Sequence, residues 1–367
     1  LEFIYLKKIT KAKLMGTESI ESSFLSIFAL ISFFIFLVIS KFSHKIKEGA
    51  LLDNDLTKPQ AFHELPITRS GGLASIISLC IFLEIYYLLY SVILYDYFLV
   101  CFSMFMIGFI DDLKINIKPF ERLLLMIGIL FIFIYFLPIK ILNIDIQFLK
   151  FFMSNHLFSS IFVLICFLFV TNGANLIDGF NGLLAINLLI INIILTFINM
   201  KNGNVDFSIL LTAQIIILLS FLLFNFPRAK IFLGDSGAYL MGSMVSLNII
   251  ITNNINPNIS SFFFCTLLFY ISFEVFFSFF RKIIQKKSPI YPDNQHLHML
   301  SYYKISTYLG KDKSNFLNSL LINIVYLALI VPGLYFMDNP SFSRYWFFTL
   351  LLIYIVIYLR LYRLTKN

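Results

Sequence analysis

Two adjacent aspartates stand where a hydrophobic stretch of the chain ends. Asp111 and Asp112 follow the apolar residues 94–110. Neighbouring carboxylates repel each other and lose solvation at a membrane boundary, so the pair favours a bound cation. Mg²⁺ suits such hard oxygen ligands, with Mn²⁺ as the alternative, and both ions also bind water and phosphate oxygens. Two solvated acids paired with Lys114 or Arg122 explain the pair equally well, so both interpretations stay open.

A second polar run separates two later hydrophobic stretches. Asn172, Asn175 and Asp178 follow at intervals of three, so they share one face of a helix. Three such side chains in apolar surroundings are costly unless they bind something. We expect this stripe to contact a metal or a substrate, whereas helix capping explains Asn181 and the neighbouring glycines.

Two further clusters stand at the starts of hydrophobic stretches. In Gly234-Asp235-Ser236-Gly237, Asp235 is either a helix N-cap or a metal ligand or base opposite the aspartate pair. Arg69 precedes two glycines whose backbone NH groups could approach an anion at a helix N-terminus. Lys58 adds a positive charge upstream. These residues are candidates for binding a phosphorylated substrate.

A lysine-rich loop carries the last cluster. It begins at Arg281 and leads to His296 and His298, which lie on the same side of an extended segment. Neither a cysteine nor a third histidine is nearby, which disfavours zinc. Histidines that donate hydrogen bonds to a diphosphate fit this basic loop better.

The elements that position these clusters are membrane-spanning helices. The chain is 59% hydrophobic and 13% charged, with a mean hydropathy of +0.87, which excludes a soluble protein. Runs of about 20 apolar residues, the length of one span, recur throughout. We predict an all-α, polytopic transmembrane helical bundle in a single domain, residues 1–367, with about 11 spans (10–11) by hydropathy. The spans are placed at 21–40, 71–90, 94–110, 119–137, 157–173, 183–200, 207–226, 238–251, 259–280, 316–337 and 346–359.

Basic residues set the orientation, because Lys and Arg gather in cytoplasmic loops. They are frequent in the loops that carry the polar clusters, whereas the opposite loops hold only Lys140, Lys150, Lys201 and Arg344. We therefore expect catalytic loops on the cytoplasmic side and attribute the net charge of +8 to membrane contact, with no nucleic acid among the partners. Lysines before Met15 break the pattern, and a start of translation at Met15 would remove them.

Two acids lie inside predicted spans and support a different class of function. Glu84 and Glu274 are isolated among apolar residues, where ionisable groups commonly mark transport pathways. A polytopic secondary transporter is therefore the alternative hypothesis. Five mutually consistent interfacial clusters outweigh two isolated acids.

Taken in order, the five clusters resemble the polyprenyl-phosphate N-acetylhexosamine-1-phosphate transferase family, of the glycosyltransferase family 4 type. The resemblance covers residues 58–298 and includes Pro-x-x-Arg-x-Gly-Gly, the double aspartate, Asn-x-x-Asn-x-x-Asp-Gly, Gly-Asp-x-Gly and His-x-His. It implies transfer of N-acetylhexosamine 1-phosphate from a UDP-sugar to undecaprenyl (polyprenyl) phosphate, with release of UMP. Such a reaction starts a lipid-linked glycan, as in O-antigen, capsule or cell-wall polymers, at the bacterial inner membrane.

The resemblance also implies roles for matching residues and a Mg²⁺ cofactor, with Mn²⁺ as the alternative. It implies Asp111 and Asp112 as the catalytic pair and Asp178 and Asp235 as metal ligands. The substrate-binding residues are expected to be Lys58, Arg69, Asn172, Asn175, Arg281, His296 and His298.

Three departures from the family pattern bear on the metal site and on the donor: the first weakens a role as metal ligand or base, and the other two concern the donor. Asn181 stands where the family often has a second acid, and Met299 where N-acetylglucosamine-using members commonly have a further histidine. The run of adjacent histidines usual in the muramoyl-pentapeptide branch is absent, which disfavours a UDP-MurNAc-pentapeptide phosphotransferase. The reaction is better defined than its sugar, and a homodimer stays open.

Overall fold

The computed structural model describes residues 17–45, 51–53, 66–115, 117–289, 291 and 293–366, and thirteen helices form this part of the chain. Lys58 and Met15 lie outside the described residues. The helices are α1 (Thr17–Phe42), α2 (Gly71–Tyr90), α3 (Tyr95–Asp112), α4 (Pro119–Phe136), α5 (Gln147–Met153), α6 (His156–Ile177), α7 (Leu183–Lys201), α8 (Val205–Asn225), α9 (Gly234–Ile255), α10 (Ser261–Ile284), α11 (Leu297–Leu309), α12 (Lys311–Tyr335) and α13 (Pro340–Lys366).

Each of the eleven predicted spans coincides with one helix, while α5 and α11 lie between spans. In the described ranges, nine helices are long and apolar enough to cross a membrane: α1, α2, α4, α6, α7, α8, α10, α12 and α13. The chain is therefore a multi-pass membrane protein with an all-α bundle, as predicted. Of the other two predicted spans, α3 contains three aspartates, and α9 is rich in serine and asparagine.

Helix α9 lies at the centre of the bundle, where it packs against α2, α3 and α6. Nearly all of its side chains are buried. Glycines allow the close approach at its first turns: a Cβ on Gly108 would lie 2.5 Å from the carbonyl oxygen of Asp235, and one on Gly72 would lie 2.4 Å from the nitrogen of Gly237. Small residues at such contacts let helix backbones meet. The end of α3 is thereby fixed against the start of α9.

A small two-stranded sheet precedes α2, and the first residues of α2 bond to the segment before α9. Strand β1 (Leu52–Asp53) pairs antiparallel with β2 (Ile67–Thr68). The backbone NH groups of Gly71 and Gly72 donate to the carbonyls of Phe232 (2.9 Å) and Leu233 (2.8 Å). The expectation that these two NH groups approach an anion is therefore wrong, because the segment before α9 already occupies them.

A second polar region lies within the spans, and we call it the amide network: Tyr97, Asn192, Gln214 and Asn248. The Asn248 amide donates to Asn192 Oδ1 (3.1 Å) and Gln214 Oε1 (2.6 Å). Gln214 in turn donates to the Tyr97 hydroxyl at 2.8 Å. All four side chains are buried. Hydrogen bonds between amides offset the cost of placing them in apolar surroundings and join α3, α7, α8 and α9.

Candidate active site

Asp112 joins the end of α3 to the start of α9. Its Oδ1 accepts the backbone NH of Asp235 at 3.0 Å, and its Oδ2 accepts that of Ser236 at 2.9 Å. A Cβ on Gly234 would lie 2.6 Å from Asp112 Oδ2, and Gly234 has φ +76°, so glycine is needed there. The side chain of Asp112, and not that of Asp235, therefore caps the N-terminus of α9. The helix dipole also favours a negative charge at this position.

Arg122 lies between the other two acids at this end. Its Nη1 is 2.9 Å from Asp111 Oδ2 and 2.5 Å from Asp235 Oδ2. These carboxylates keep part of their surface accessible, unlike that of Asp112. A cationic nitrogen shared by two carboxylates marks a position that suits positive charge. Asp235 indeed lies opposite the aspartate pair, and the salt bridge between Asp111 and Arg122 is present as well.

Asp178 follows α6 and completes a group of four acids. Within the described part of the chain it has no hydrogen bond and no ion pair, although it is half-buried. Burial raises its pKa well above the ordinary value, and the negative charges of Asp235 and Asp112 raise it further. We call Asp111, Asp112, Asp178 and Asp235, with Arg69 and Arg122, the acid cluster.

The two acids that follow the apolar part of α3 also resist ionisation. Burial, followed by the charge of Asp235, raises the pKa of Asp111 to about 6 and that of Asp112 to about 7. Like charges that raise each other's pKa values lower their electrostatic energy by binding a cation or a proton. Perturbed carboxyls gathered at one place are characteristic of functional sites.

The donor set of the acid cluster fits Mg²⁺. In the described ranges, no three His, Cys, Asp or Glu side chains form a metal site by themselves. Mg²⁺ commonly uses only one or two carboxylates and fills its other positions with water and substrate phosphate. Asp178, which lacks a partner among the described residues, and Asp235 supply such a pair, and their assignment as ligands stays a prediction.

Arg69 supplies the second positive charge of the cluster. Its Nη2 donates to Asp53 Oδ2 at 2.8 Å, while its Nη1 lies 3.7 Å from Asp112 Oδ1. Although burial opposes the shift, Asp235, Asp53 and Asp112 raise the pKa of Arg69 above its ordinary value. The guanidinium is therefore a fixed cation beside the acids, and its contact with phosphate stays a prediction.

The asparagines of the second motif have different surroundings. Asn175 donates to the Tyr239 hydroxyl at 3.3 Å, and the Tyr239 ring lies 5.7 Å from the Arg122 guanidinium. Asn172 instead donates to the carbonyl of Leu168 in its own helix at 2.8 Å. Only Asn175 is thus linked to the acid cluster by these contacts, and both substrate-binding roles stay predictions.

Asn181 has a structural role. Its side-chain amide donates to the carbonyl of Pro227 at 2.9 Å, and its backbone NH donates to Asn315 Oδ1 at 2.8 Å. These bonds join the turn after α6 to two other parts of the chain. This agrees with the prediction that Asn181 satisfies backbone groups.

The loop between α10 and α11 forms a compact polar unit, which we call the histidine loop: Asp293, Asn294, Gln295, His296, Leu297 and His298. Arg281 binds Asp293 through two bonds of 2.7 and 3.2 Å, and it also donates to Gln295 at 2.9 Å. The rings of His296 and His298 stack in parallel, 5.5 Å apart. The two histidines therefore lie together, as their spacing predicted, although α11 already begins at Leu297.

The histidine loop contacts the turn that follows Asp178. The ring of Phe180 packs edge-on against that of His298 at 5.6 Å, and Phe180 is two residues beyond Asp178. The motifs around Asp178 and His298, separated widely in sequence, thus meet in the fold.

Glu274 is one of the two acids on which the transporter hypothesis rests. It is 1% exposed and binds the histidine loop: its Oε1 accepts the backbone NH of Leu297 at 2.7 Å. Glu84, by contrast, lies on the exposed side of α2. The two acids thus have unrelated surroundings, and the transporter hypothesis loses its proposed pair. A buried acid in an apolar helix needs a partner, and this rule alone could have pointed to the histidines that follow α10.

Comparison with known proteins finds related transferases. Residues 94–253, which contain the ends of α3 and α6 and most of α9, match Glycosyl transferase family 4. The chain is 26% identical to the undecaprenyl-phosphate alpha-N-acetylglucosaminyl 1-phosphate transferase of Thermotoga maritima, over 76% of this chain and 80% of that protein.

A second group of relatives carries a different name. Over 38% of this chain and 44% of each relative, the sequence is 33% identical to the phospho-N-acetylmuramoyl-pentapeptide-transferases of Streptococcus thermophilus and Streptococcus pyogenes. The chain therefore spans less than half the length of these relatives. Both groups are named as transferases of phosphorylated sugars.

Proposed function

Since the chain belongs to the polyprenyl-phosphate hexosamine-1-phosphate transferase family, we propose that it transfers an N-acetylhexosamine 1-phosphate from a UDP-sugar to undecaprenyl (polyprenyl) phosphate. A phosphate oxygen of the lipid attacks the sugar-linked phosphorus of the donor, and UMP leaves. The observation that carries this proposal is the acid cluster, in which Arg122 lies between Asp111 and Asp235 and Asp178 has no partner among the described residues.

Both reactants are anions, so the site must supply positive charge and orientation. Arg69 and Arg122 bind phosphate oxygens in this proposal. Mg²⁺ or Mn²⁺ on Asp178 and Asp235 would neutralise the diphosphate and stabilise the departing phosphate.

Asp111 and Asp112 have different roles in this proposal. Both oxygens of Asp112 hold the first backbone NH groups of α9, so this residue positions Asp235. Asp111 is partly accessible, and its pKa is raised to about 6, which suits a base that takes a proton from the lipid phosphate. Asp111 acting as a base corresponds to a direct displacement, whereas a covalent aspartyl intermediate would require Asp111 as the nucleophile instead.

The membrane setting follows from the same residues. We propose that the acid cluster faces the cytoplasm of a bacterial inner membrane, because basic residues gather on its side of the spans. The lipid then reaches the site sideways from the bilayer. This explains why the acids lie where spans end.

Two donors have support, and the N-acetylhexosamine donor has more. The N-acetylglucosaminyl relative matches 76% of the chain, whereas the muramoyl-pentapeptide relatives match 38% at higher identity. The loop reads His-x-His with Met299 next, without a run of histidines. A UDP-MurNAc-pentapeptide donor is therefore the second candidate.

The deciding experiment is an assay of the purified full chain with undecaprenyl phosphate and a panel of radiolabelled donors. The panel contains UDP-GlcNAc, UDP-GalNAc and UDP-MurNAc-pentapeptide. We expect a labelled lipid and UMP with an N-acetylhexosamine donor, and none after chelation of divalent metal. A product formed only from UDP-MurNAc-pentapeptide would select the second candidate, and no product from any donor would contradict the proposal.

A further inference from the structure

We propose that Glu274 is a positioning residue for the donor: it fixes the histidine loop and orients His298 so that Nε2 accepts a hydrogen bond from the UDP-sugar. This inference rests on the proposed function, because it names the molecule that the loop binds. The role that it assigns to Glu274, an acid within a span, is neither metal binding nor transport.

Glu274 contacts successive residues at the end of the histidine loop. Its Oε1 accepts the backbone NH of Leu297 at 2.7 Å and lies 3.5 Å from His298 Nδ1. Its Oε2 lies 4.0 Å from His296 Nδ1 and accepts the hydroxyl of Tyr354. A buried carboxylate with this many donors around it is well compensated. One side chain of α10 therefore determines where both imidazoles lie.

The contact with Glu274 also determines which nitrogen of His298 is free. Two groups face Nδ1 of His298: Glu274 Oε1 at 3.5 Å, which as a carboxylate only accepts, and the Tyr270 hydroxyl at 3.4 Å, which can accept as well as donate. The carboxylate therefore favours the neutral ring with its proton on Nδ1. Burial lowers the pKa of His298 below its ordinary value although Glu274 opposes this shift, and His296 adds to the lowering, which favours the neutral ring. Its Nε2 is buried and has no partner among the described residues. It is therefore an acceptor that lacks a donor.

His296 differs in its partners. Its Nε2 is 3.2 Å from Asp293 Oδ1, and Glu274 lies on its other side. Burial opposes protonation, but Asp293 and the negative charge of Glu274 raise the pKa of His296 above its ordinary value. The acids on both sides of the ring thus favour a positive charge on His296. The expectation that both histidines donate to a diphosphate is therefore replaced: one stabilises the loop, and the other accepts from the donor's NH or OH groups.

Helix α13 also contacts Glu274 and the histidine loop. The Tyr354 hydroxyl donates to Glu274, and the Tyr358 hydroxyl donates to the carbonyl of Gln295 at 3.1 Å. Tyr354 is therefore also a positioning residue, one step further from the substrate.

The test is the Glu274→Gln substitution in the full chain, assayed with both substrates varied. We expect the KM for the UDP-sugar to rise roughly tenfold, as for loss of a hydrogen bond to a charged group. The KM for polyprenyl phosphate should stay unchanged. Tyr326→Phe is the matched control: its hydroxyl also donates to α10, to the carbonyl of Leu267 at 2.6 Å, but does not touch the loop. It should change neither KM.

A double-mutant cycle separates positioning from general loosening. His298→Asn removes the acceptor at the Nε2 position, so Glu274→Gln should add no further loss of donor affinity in that background. Full additivity, a wild-type donor KM in folded Glu274→Gln, or equal effects on both substrates would each overturn the inference. If Glu274→Gln does not fold, Tyr354→Phe decides by the same donor KM. Wild-type turnover without any donor effect rejects only this inference, whereas absence of turnover in the wild type rejects the proposed function.

Discussion

Helix α9 carries two polar regions that are built in opposite ways. Asn248 belongs to the amide network, in which uncharged side chains bond to one another within the spans. Asp235 belongs to the acid cluster, where carboxylates outnumber the arginines and Asp178 has no partner among the described residues. The first region is satisfied without a ligand, whereas the second retains negative charge that a cation would relieve. Polar residues in a span thus indicate function only where the fold leaves them uncompensated.

Removal of one charge from the acid cluster should have the largest effect. We expect Asp235→Asn to lower UMP release by roughly 10³-fold, the scale for losing a strong electrostatic contact in a transition state. The free energy of unfolding should change little, because the ion pair with Arg122 is partly exposed. Asp96→Asn, at the other end of α3, is the control and should stay within about twofold of wild type, as a surface substitution would. If Asp235→Asn kept turnover within tenfold of wild type, the proposed functional difference between the acid cluster and the amide network would be wrong.

Asp112 is less suitable for this test. An asparagine there would turn an NH₂ group toward one of the two backbone NH groups that Asp112 accepts. Lost activity in Asp112→Asn would therefore combine chemistry with loss of the α9 cap.

Removal of one member of the amide network should affect stability instead. Asn248→Ala leaves the buried acceptors Gln214 Oε1 and Asn192 Oδ1 without the amide that donates to them, which should lower the free energy of unfolding by about 1–3 kcal/mol. Turnover per folded molecule should remain near wild type. Ser246→Ala is the matched control, since its hydroxyl bonds only within α9, to the carbonyl of Gly242. A large loss of kcat in folded Asn248→Ala would show that the two regions are coupled.

The smallest expected effect concerns protons and metal at the acid cluster. The pKa values of Asp111 and Asp112 are raised to about 6 and about 7, so their contribution to stability is lost as pH rises through that range. Mg²⁺ competes with these protons, and its stabilisation should therefore be larger at pH 8 than at pH 5.5. Thermal unfolding with and without MgCl₂ measures the difference. If MgCl₂ stabilised the protein equally at both pH values, this prediction would be wrong. It would also be wrong if the stabilisation by MgCl₂ remained in Asp235→Asn.

Local residue patterns sufficed for the helices. Apolar runs predicted a helix at each of eleven positions, and the motifs singled out Asp178 and Asp235, whose charges interact in the fold. Contacts between distant parts of the chain were missed. Asp112 caps a helix more than 120 residues away, and Tyr354 binds an acid 80 residues before it. Such contacts depend on how helices pack, which local periodicity does not encode. The same reason explains the wrong expectation for Gly71 and Gly72, whose NH groups meet carbonyls from the segment before α9.

The dependence of the histidine loop on α13 has a consequence for biosynthesis. Every member of the acid cluster precedes residue 236, so this part of the site can assemble while later helices are still being made. Glu274 and the histidines are translated next, but Tyr354 and Tyr358 arrive only with α13. The half of the site that holds the loop is therefore finished last, and a nascent chain acquires its acids before it can hold its histidines in place.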